Sequence, residues 1–283
     1  MLPYLTNAGT DKPANTLNLA YKNLEEFNYD DDYGEDLKIS NELNNIISNI
    51  HGESQLIELY ALNDKKSGEK PILRKAGSIQ QNCLRLIKIL NNISDLRKFE
   101  KEHLNLCTSN VNIVEIVENL VMNTSNHTKG KIIFDTNVEE KFMTCDINKF
   151  QKSLLILLST ALKYSKGDEI LVKLKVFTDT IRIDLSFSSK NNRSVDFFKD
   201  KMDKPSFDDF DNLSLDLFLC KSLADLQKGS ISVGGNGKET FFSLVLPCEN
   251  NDSLHYLYKK DLDDEYLNRQ IQIEFSDLLN PYD

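Results

Sequence analysis

The stretch Ile147-Asn-Lys-Phe-Gln-Lys-Ser-Leu-Leu-Ile-Leu-Leu-Ser-Thr-Ala-Leu-Lys-Tyr164 sets the reading of this chain. Leu154, Leu155, Leu157, Leu158, Ala161 and Leu162 crowd its circumference with apolar groups, which predicts a heavily buried helix. Downstream, Ile170–Val176 and residues 181–187 alternate apolar and polar side chains around Thr178-Asp179, the pattern of a two-stranded hairpin. A helix is predicted over Leu213–Leu226. A second hairpin joins residues 230–233 to 241–246 through Gly234, Gly235, Asn236 and Gly237. Upstream, residues 111–122 carry a helical period and residues 131–135 read as a short strand. Helices on one face of a largely antiparallel sheet make an α+β sandwich.

Towards the N-terminus the period changes. Leu43, Ile46, Ile47, Ile50, Ser54, Ile57 and Ala61 follow steps of three and four, the seam of an amphipathic helix. A charged loop over residues 63–71, punctuated by Gly68 and Pro71, leads to a second seam through Ile79, Cys83, Leu86, Leu90 and Ile93. Two such seams predict a helical hairpin. One hairpin leaves its apolar stripe half covered, and pairing with a second copy into a four-helix bundle is the expected remedy. Residues 1–34 read as a polar lead-in, too short for an input domain and without the features of a secretion signal. The organisation expected is therefore lead-in 1–34, hairpin 35–103, sandwich 104–249 and a charged tail 250–283 with one apolar patch at residues 271–275.

The 283 residues hold 34 Lys and Arg against 44 Asp and Glu, a net charge of −10. That balance argues against nucleic acid as a partner, because a binder needs a basic face to neutralise phosphates. The longest aliphatic run, residues 154–158, is far too short for membrane insertion. Scattered Cys83, Cys107, Cys145, Cys220 and Cys248 fit free thiols in a reducing cytoplasm. His103, His127 and His255 stand without ligand spacing, so no metal site is expected.

The order of hairpin and sandwich, together with specific motifs, resembles the transmitter half of a sensor histidine kinase of two-component signalling. The motifs are residues 39–43 with Ile50-His-Gly52, residues 81–86 with Asn91-Asn92 and Asp95, Cys145-Asp146 ahead of the buried helix, and residues 237–247 as a closing strand. Residues 273–277 are similar to the tail of some kinases of that family. The resemblance implies a hairpin forming a dimeric four-helix bundle, followed by a GHKL-like α/β sandwich that binds ATP.

The catalytic positions implied by this resemblance depart from it. The phosphoacceptor slot holds Asn41, whose carboxamide is not a nucleophile. The two asparagine slots of the nucleotide helix hold Ile156 and Thr160, beside Lys163. The adenine loop, expected as Asp-x-Gly-x-Gly, reads Phe187-Ser-Ser-Lys-Asn191, so Phe187, Ser189 and Asn191 replace its aspartate and both glycines. Ser214 and Asp216 occupy the glycine slots of the phosphate box. Asp203, Asp208, Asp209, Asp211 and Asp216 would place negative charge in the region of the ATP lid. These departures predict loss of ATP and Mg²⁺ binding, and hence a degenerate kinase without cofactor.

Three functions follow. The first is a pseudokinase that dimerises and binds a response regulator or an active histidine kinase. The second is a regulator aspartyl-phosphate phosphatase, in which Glu42 and Asn45 stand where the family keeps its dephosphorylation motif and an amide aligns the attacking water. Against it, Asn41, Asn44 and Asn45 read equally as the solvated side of a helix in an Asn-rich chain. An active kinase or phosphotransferase ranks last; His51, ten residues beyond Asn41, reads as a helix-surface residue. Gly234-Gly-Asn-Gly-Lys238 lacks the spacing of a phosphate loop and reads as a hairpin turn.

Overall fold

The computed structural model describes residues 33–62, 69–100, 105–128, 131–167, 169–189, 195–203, 212–235, 239–249, 256–257 and 263–278. From Lys38 onward they form one compact unit. Most of the predicted lead-in lies outside the described residues.

Two long helices come first, α1 (Tyr33–Leu62) and α2 (Glu69–Glu100). Leu43 and Ile46 of α1 pack on Ile89 of α2, with Ile50, Leu86 and Ile93 beside them; all but Ile89 belong to the predicted seams. Two details differ. Pro71 lies inside the first turn of α2 rather than in the loop, a position where its missing N–H leaves no helical bond unmade. Leu90 is exposed, whereas Lys88 and Asn92 are buried.

The sandwich follows as β1 (Ser109–Asn112), α3 (Ile113–His127), β2 (Ile132–Thr136), β3 (Phe142–Cys145), α4 (Ile147–Tyr164), β4 (Ile170–Val176), β5 (Thr180–Ser188), α5 (Val195–Asp203), α6 (Leu213–Leu226), β6 (Ser230–Gly235), β7 (Glu239–Pro247), β8 (Tyr256–Leu257) and α7 (Asp264–Glu274). The main sheet runs β2-β4-β5-β7-β6, antiparallel except for the parallel pair β2 and β4. A second small sheet, β3-β1-β8, was not legible in the sequence. Its strand β1 takes the first two residues of the stretch read as a helix, and the helix begins only after Asn112.

The helix that opened the sequence reading keeps its predicted limits. Asp146 caps it, accepting from the Lys149 backbone N–H at 3.1 Å and from that of Cys107 at 2.8 Å. Its residues Phe150, Leu154, Ile156, Leu157, Leu158 and Ala161 are completely buried. Gly234 and Gly235, read as part of the turn, belong to β6, and Gly237 lies outside the described residues. Gly234 pairs with Phe241, and a Cβ at Gly234 would stand 2.4 Å from that ring, so the residue leaves room for an aromatic side chain.

The stretch read as a charged tail is ordered and packed where it is described. Asp263 caps α7 through the Tyr266 N–H at 3.0 Å, and Leu267, Ile271, Ile273 and Phe275 are buried. Their apolar positions close the core at the junction of α2, α3 and α4.

Candidate functional site

The end of β5 carries Phe187, in the position that the resemblance assigns to the adenine-binding aspartate. Its ring is 2 % exposed and stacks on Phe242 of β7, with centroids 5.7 Å apart. Phe198 of α5 meets Phe187 edge-on at 6.3 Å, Phe242 at 5.3 Å and Tyr164 at 5.5 Å. Phe197 extends the cluster at 5.1 Å from Phe198. An edge-to-face aromatic cluster of this kind is a packed core, in which each ring excludes water and fixes its neighbour. Helix α5, which supplies two of its rings, was not predicted. Its signal was Val195, Phe198 and Met202 at steps of three and four, masked by the charged residues around them.

Ile156 is fully buried in the core and Thr160 is 3 % exposed on the next turn. Thr160, Ser159, Lys163 and Leu213 enclose, together with Lys88, Asp216, Glu274, Asp277 and Leu278, a space of about 10 Å³. That holds a single water at most. Ser189 is buried and bridges Ser165, Ser214 is buried in the first turn of α6, and Asn191 lies outside the described residues.

Asp216 corrects one expectation. It does not stand in a lid; it is buried in α6, where it accepts from the Lys88 ammonium at 2.6 Å and from the Asn92 amide at 2.7 Å. Glu274 lies 3.7 Å and Asp277 3.8 Å from the same ammonium. Burial alone would lower the Lys88 pKa, but Asp216, Glu274 and Asp277 together hold it above its ordinary value. Asp203, at the end of α5, is exposed and pairs with Lys221 at 2.9 Å, while Asp208, Asp209 and Asp211 lie outside the described residues. Between the hairpin and the sandwich a cleft of about 290 Å³ is lined by Asn49, Arg85, Lys88, Lys163, Asp216 and Asp277 among others.

On α1, Asn45 and Ser48 are exposed, Asn44 is half-buried, and the side chains of Asn41 and Glu42 lie outside those described. His51 is exposed and its Nε2 lies 3.1 Å from the Gln55 amide. His127 joins Asn268 of α7 at 3.1 Å; His103 and His255 lie outside the described residues. Among the described residues no group of three His, Cys, Asp or Glu side chains is placed to hold a metal, and no helix is long and apolar enough to cross a membrane.

A helical hairpin feeding an α+β sandwich is the architecture of a histidine kinase transmitter, with its dimerisation and catalytic domains. The comparisons with known proteins agree. Histidine kinase AdeS of Acinetobacter baumannii superposes with a TM-score of 0.56 at 17% identity, covering 74% of this chain and 98% of that one. Histidine kinase ThkA, in a complex with response regulator protein TrrA, gives 0.56 at 17% identity over 86% of this chain and 68% of that one. Full-length ShkA, in complex with AMPPNP, gives 0.54 at 14% identity over 75% of this chain and 47% of that one. In sequence, an alignment 195 positions long, covering 64% of this chain, is 24% identical to histidine kinase P4 of Formosa agariphila. It spans 14% of that much longer protein. No family model matches the chain. The protein is histidine kinase transmitter-like in fold and in sequence.

Proposed function

We propose that this chain is a degenerate transmitter that signals by binding, without ATP-driven autophosphorylation. The observation that carries this reading is the aromatic cluster of Tyr164, Phe187, Phe198 and Phe242 in the adenine position. A purine would have to displace close-packed rings to enter. At the phosphate end, the carboxylates of Asp216, Glu274 and Asp277 surround Lys88; they line a space of about 10 Å³ beside Thr160, and Asp216 and Asp277 also line the cleft of about 290 Å³ facing the hairpin. They would repel a triphosphate, and neither Ile156 nor Thr160 offers the amide of the slot it fills. The residues present do not fit Mg-ATP. With Asn41 in the phosphoacceptor slot, both halves of the autophosphorylation reaction lack their group.

The expected partner is a response regulator or an active histidine kinase in the cytoplasm; the complex of ThkA with TrrA supports the first. Exposed Leu56 and Leu59 near the end of α1 and Leu73 near the start of α2 support a homodimer, since they offer apolar surface on the hairpin to a second copy. A second reading, regulator phosphatase, is favoured by the exposed Asn45 amide on α1, with Glu42 three residues before it. Titration calorimetry with Mg-ATP and assay of labelled γ-phosphate transfer test the first reading. No heat at millimolar nucleotide and no incorporation is the expected result; saturable binding would overturn it. For the second, Asn45→Ala should slow dephosphorylation of the cognate regulator, and equal rates would remove it.

A further inference from the structure

Helix α2 carries two stripes. Ile79, Cys83, Leu86, Leu90 and Ile93 form one. Gln81, Arg85, Lys88, Asn92 and Asp95, spaced four, three, four and three, form a polar stripe along a neighbouring face. A polar stripe of this spacing ordinarily faces water. Here every member is bonded to the sandwich. Gln81 donates its amide to the Ser276 carbonyl at 2.8 Å, and Arg85 Nε lies 3.1 Å from Asp277. Lys88 meets Asp216, Glu274 and Asp277; Asn92 donates to Asp216; and Asp95 accepts from Lys152 of α4 at 2.6 Å.

The geometry points to an intramolecular clasp: the polar stripe of α2, closed by the segment from Glu274 to Asp277 and centred on Lys88, locks the sandwich to the hairpin in one arrangement. Three features support it. The contacts come from separate elements, α4, α6 and the end of α7, so no single side-chain rotation releases them. Lys88, Asp216 and Glu274 are buried, so removing one of them would leave the others as uncompensated charges in the closed arrangement. The clasp also holds Asp216 at the start of α6 and Asp277 beside Lys163, so the residues that fill the phosphate end are the same ones that fasten the hairpin. A chain locked in this way presents the Asn45 face of α1 continuously. That consequence, though not the clasp, rests on the binding reading above.

Hydrogen–deuterium exchange on the full chain tests the clasp. In the wild type, peptides covering residues 81–96 and 264–277 should be protected together. Lys88→Met should raise exchange in both segments by about tenfold or more, and Arg85→Ala, whose pair with Asp277 is partly exposed, by about two- to fivefold, leaving β4, β5 and β7 protected. Arg85→Ala is the milder change and guards against a Lys88 variant that fails to fold. Unchanged exchange in both segments of Arg85→Ala, or wild-type segments that exchange freely, would overturn the proposal. Added Mg-ATP should alter nothing; protection of the sandwich by nucleotide would sink the binding reading while leaving the clasp intact.

Discussion

Phe187 and Phe242 stack with ring planes 30° apart, joining the central strand of the sheet to its neighbour. The two rings are offset along paired strands, Phe187 opposite Thr240 and Phe242 opposite Leu185. Their packing is part of the core, and removing one ring is a core deletion.

Phe187→Ala should therefore destabilise the fold by about 3–5 kcal/mol, the usual cost of deleting a buried aromatic ring. Urea denaturation of the purified variant measures this. Phe187→Asp should fare no better and should gain no affinity for Mg-ATP, because Phe198 and Tyr164 still fill the site. A variant that binds nucleotide would show the cluster to be a removable plug.

The thiols give a second check. Burial pushes the Cys145 thiol up to about 12 and holds Cys220 well above its ordinary value, whereas Cys107 is exposed. Only a thiolate alkylates readily. Iodoacetamide at pH 8 should modify Cys107 first, with Cys145 and Cys220 reacting only after denaturant is added, as peptide mass mapping would record.

Glu274 should make stability depend on pH. Burial raises its carboxyl above the ordinary 4.5, and the adjacent Asp216 adds to this while Lys88 and Lys152 oppose it. The fold thus retains a proton that the unfolded chain releases, so this group's contribution declines as pH rises from about 4.5 through the raised value. Glu274→Gln keeps the shape and removes the ionisation, leaving Asp216 and Asp277 to balance Lys88. Its melting temperature should change less between pH 4 and pH 8 than the wild type's, with little difference between the two proteins at pH 4. A wild-type profile already flat from pH 4 to 8 would count against the burial argument.

Asp146→Ala should cost about 1–2 kcal/mol, since the carboxylate caps α4 and also binds the Cys107 N–H. Asp146→Asn should lose less, because an amide oxygen still accepts. Thermal melts of the two variants separate these outcomes.

The limits of Ile147–Tyr164 and Leu213–Leu226 were legible because long apolar periods leave little choice of structure. β1 was missed because Ser109–Asn112 is short, polar at both ends and runs straight into an apolar helix. Asn41, Ile156, Thr160 and Phe187 were visible as residue types at the positions the resemblance assigns, yet their kind did not say what packs around Ile156 and Phe187, which lie in the core. Nor did the sequence reveal that Asp216 faces Lys88, which lies 128 residues away along the chain.

What the sequence determined by itself is the hairpin, the sandwich and the identity of the residues at each familiar position, because hydrophobic period and local motif act over a few turns. Only the tertiary structure decided what the polar stripe from Gln81 to Asp95 does. Its spacing reads as a solvated face, and it becomes a fastening only when α4, α6 and α7 bring Lys152, Asp216, Glu274 and Asp277 within bonding distance. Charges separated by more than a hundred residues interact through geometry that no local pattern encodes, and their burial sets whether they are solvent or structure.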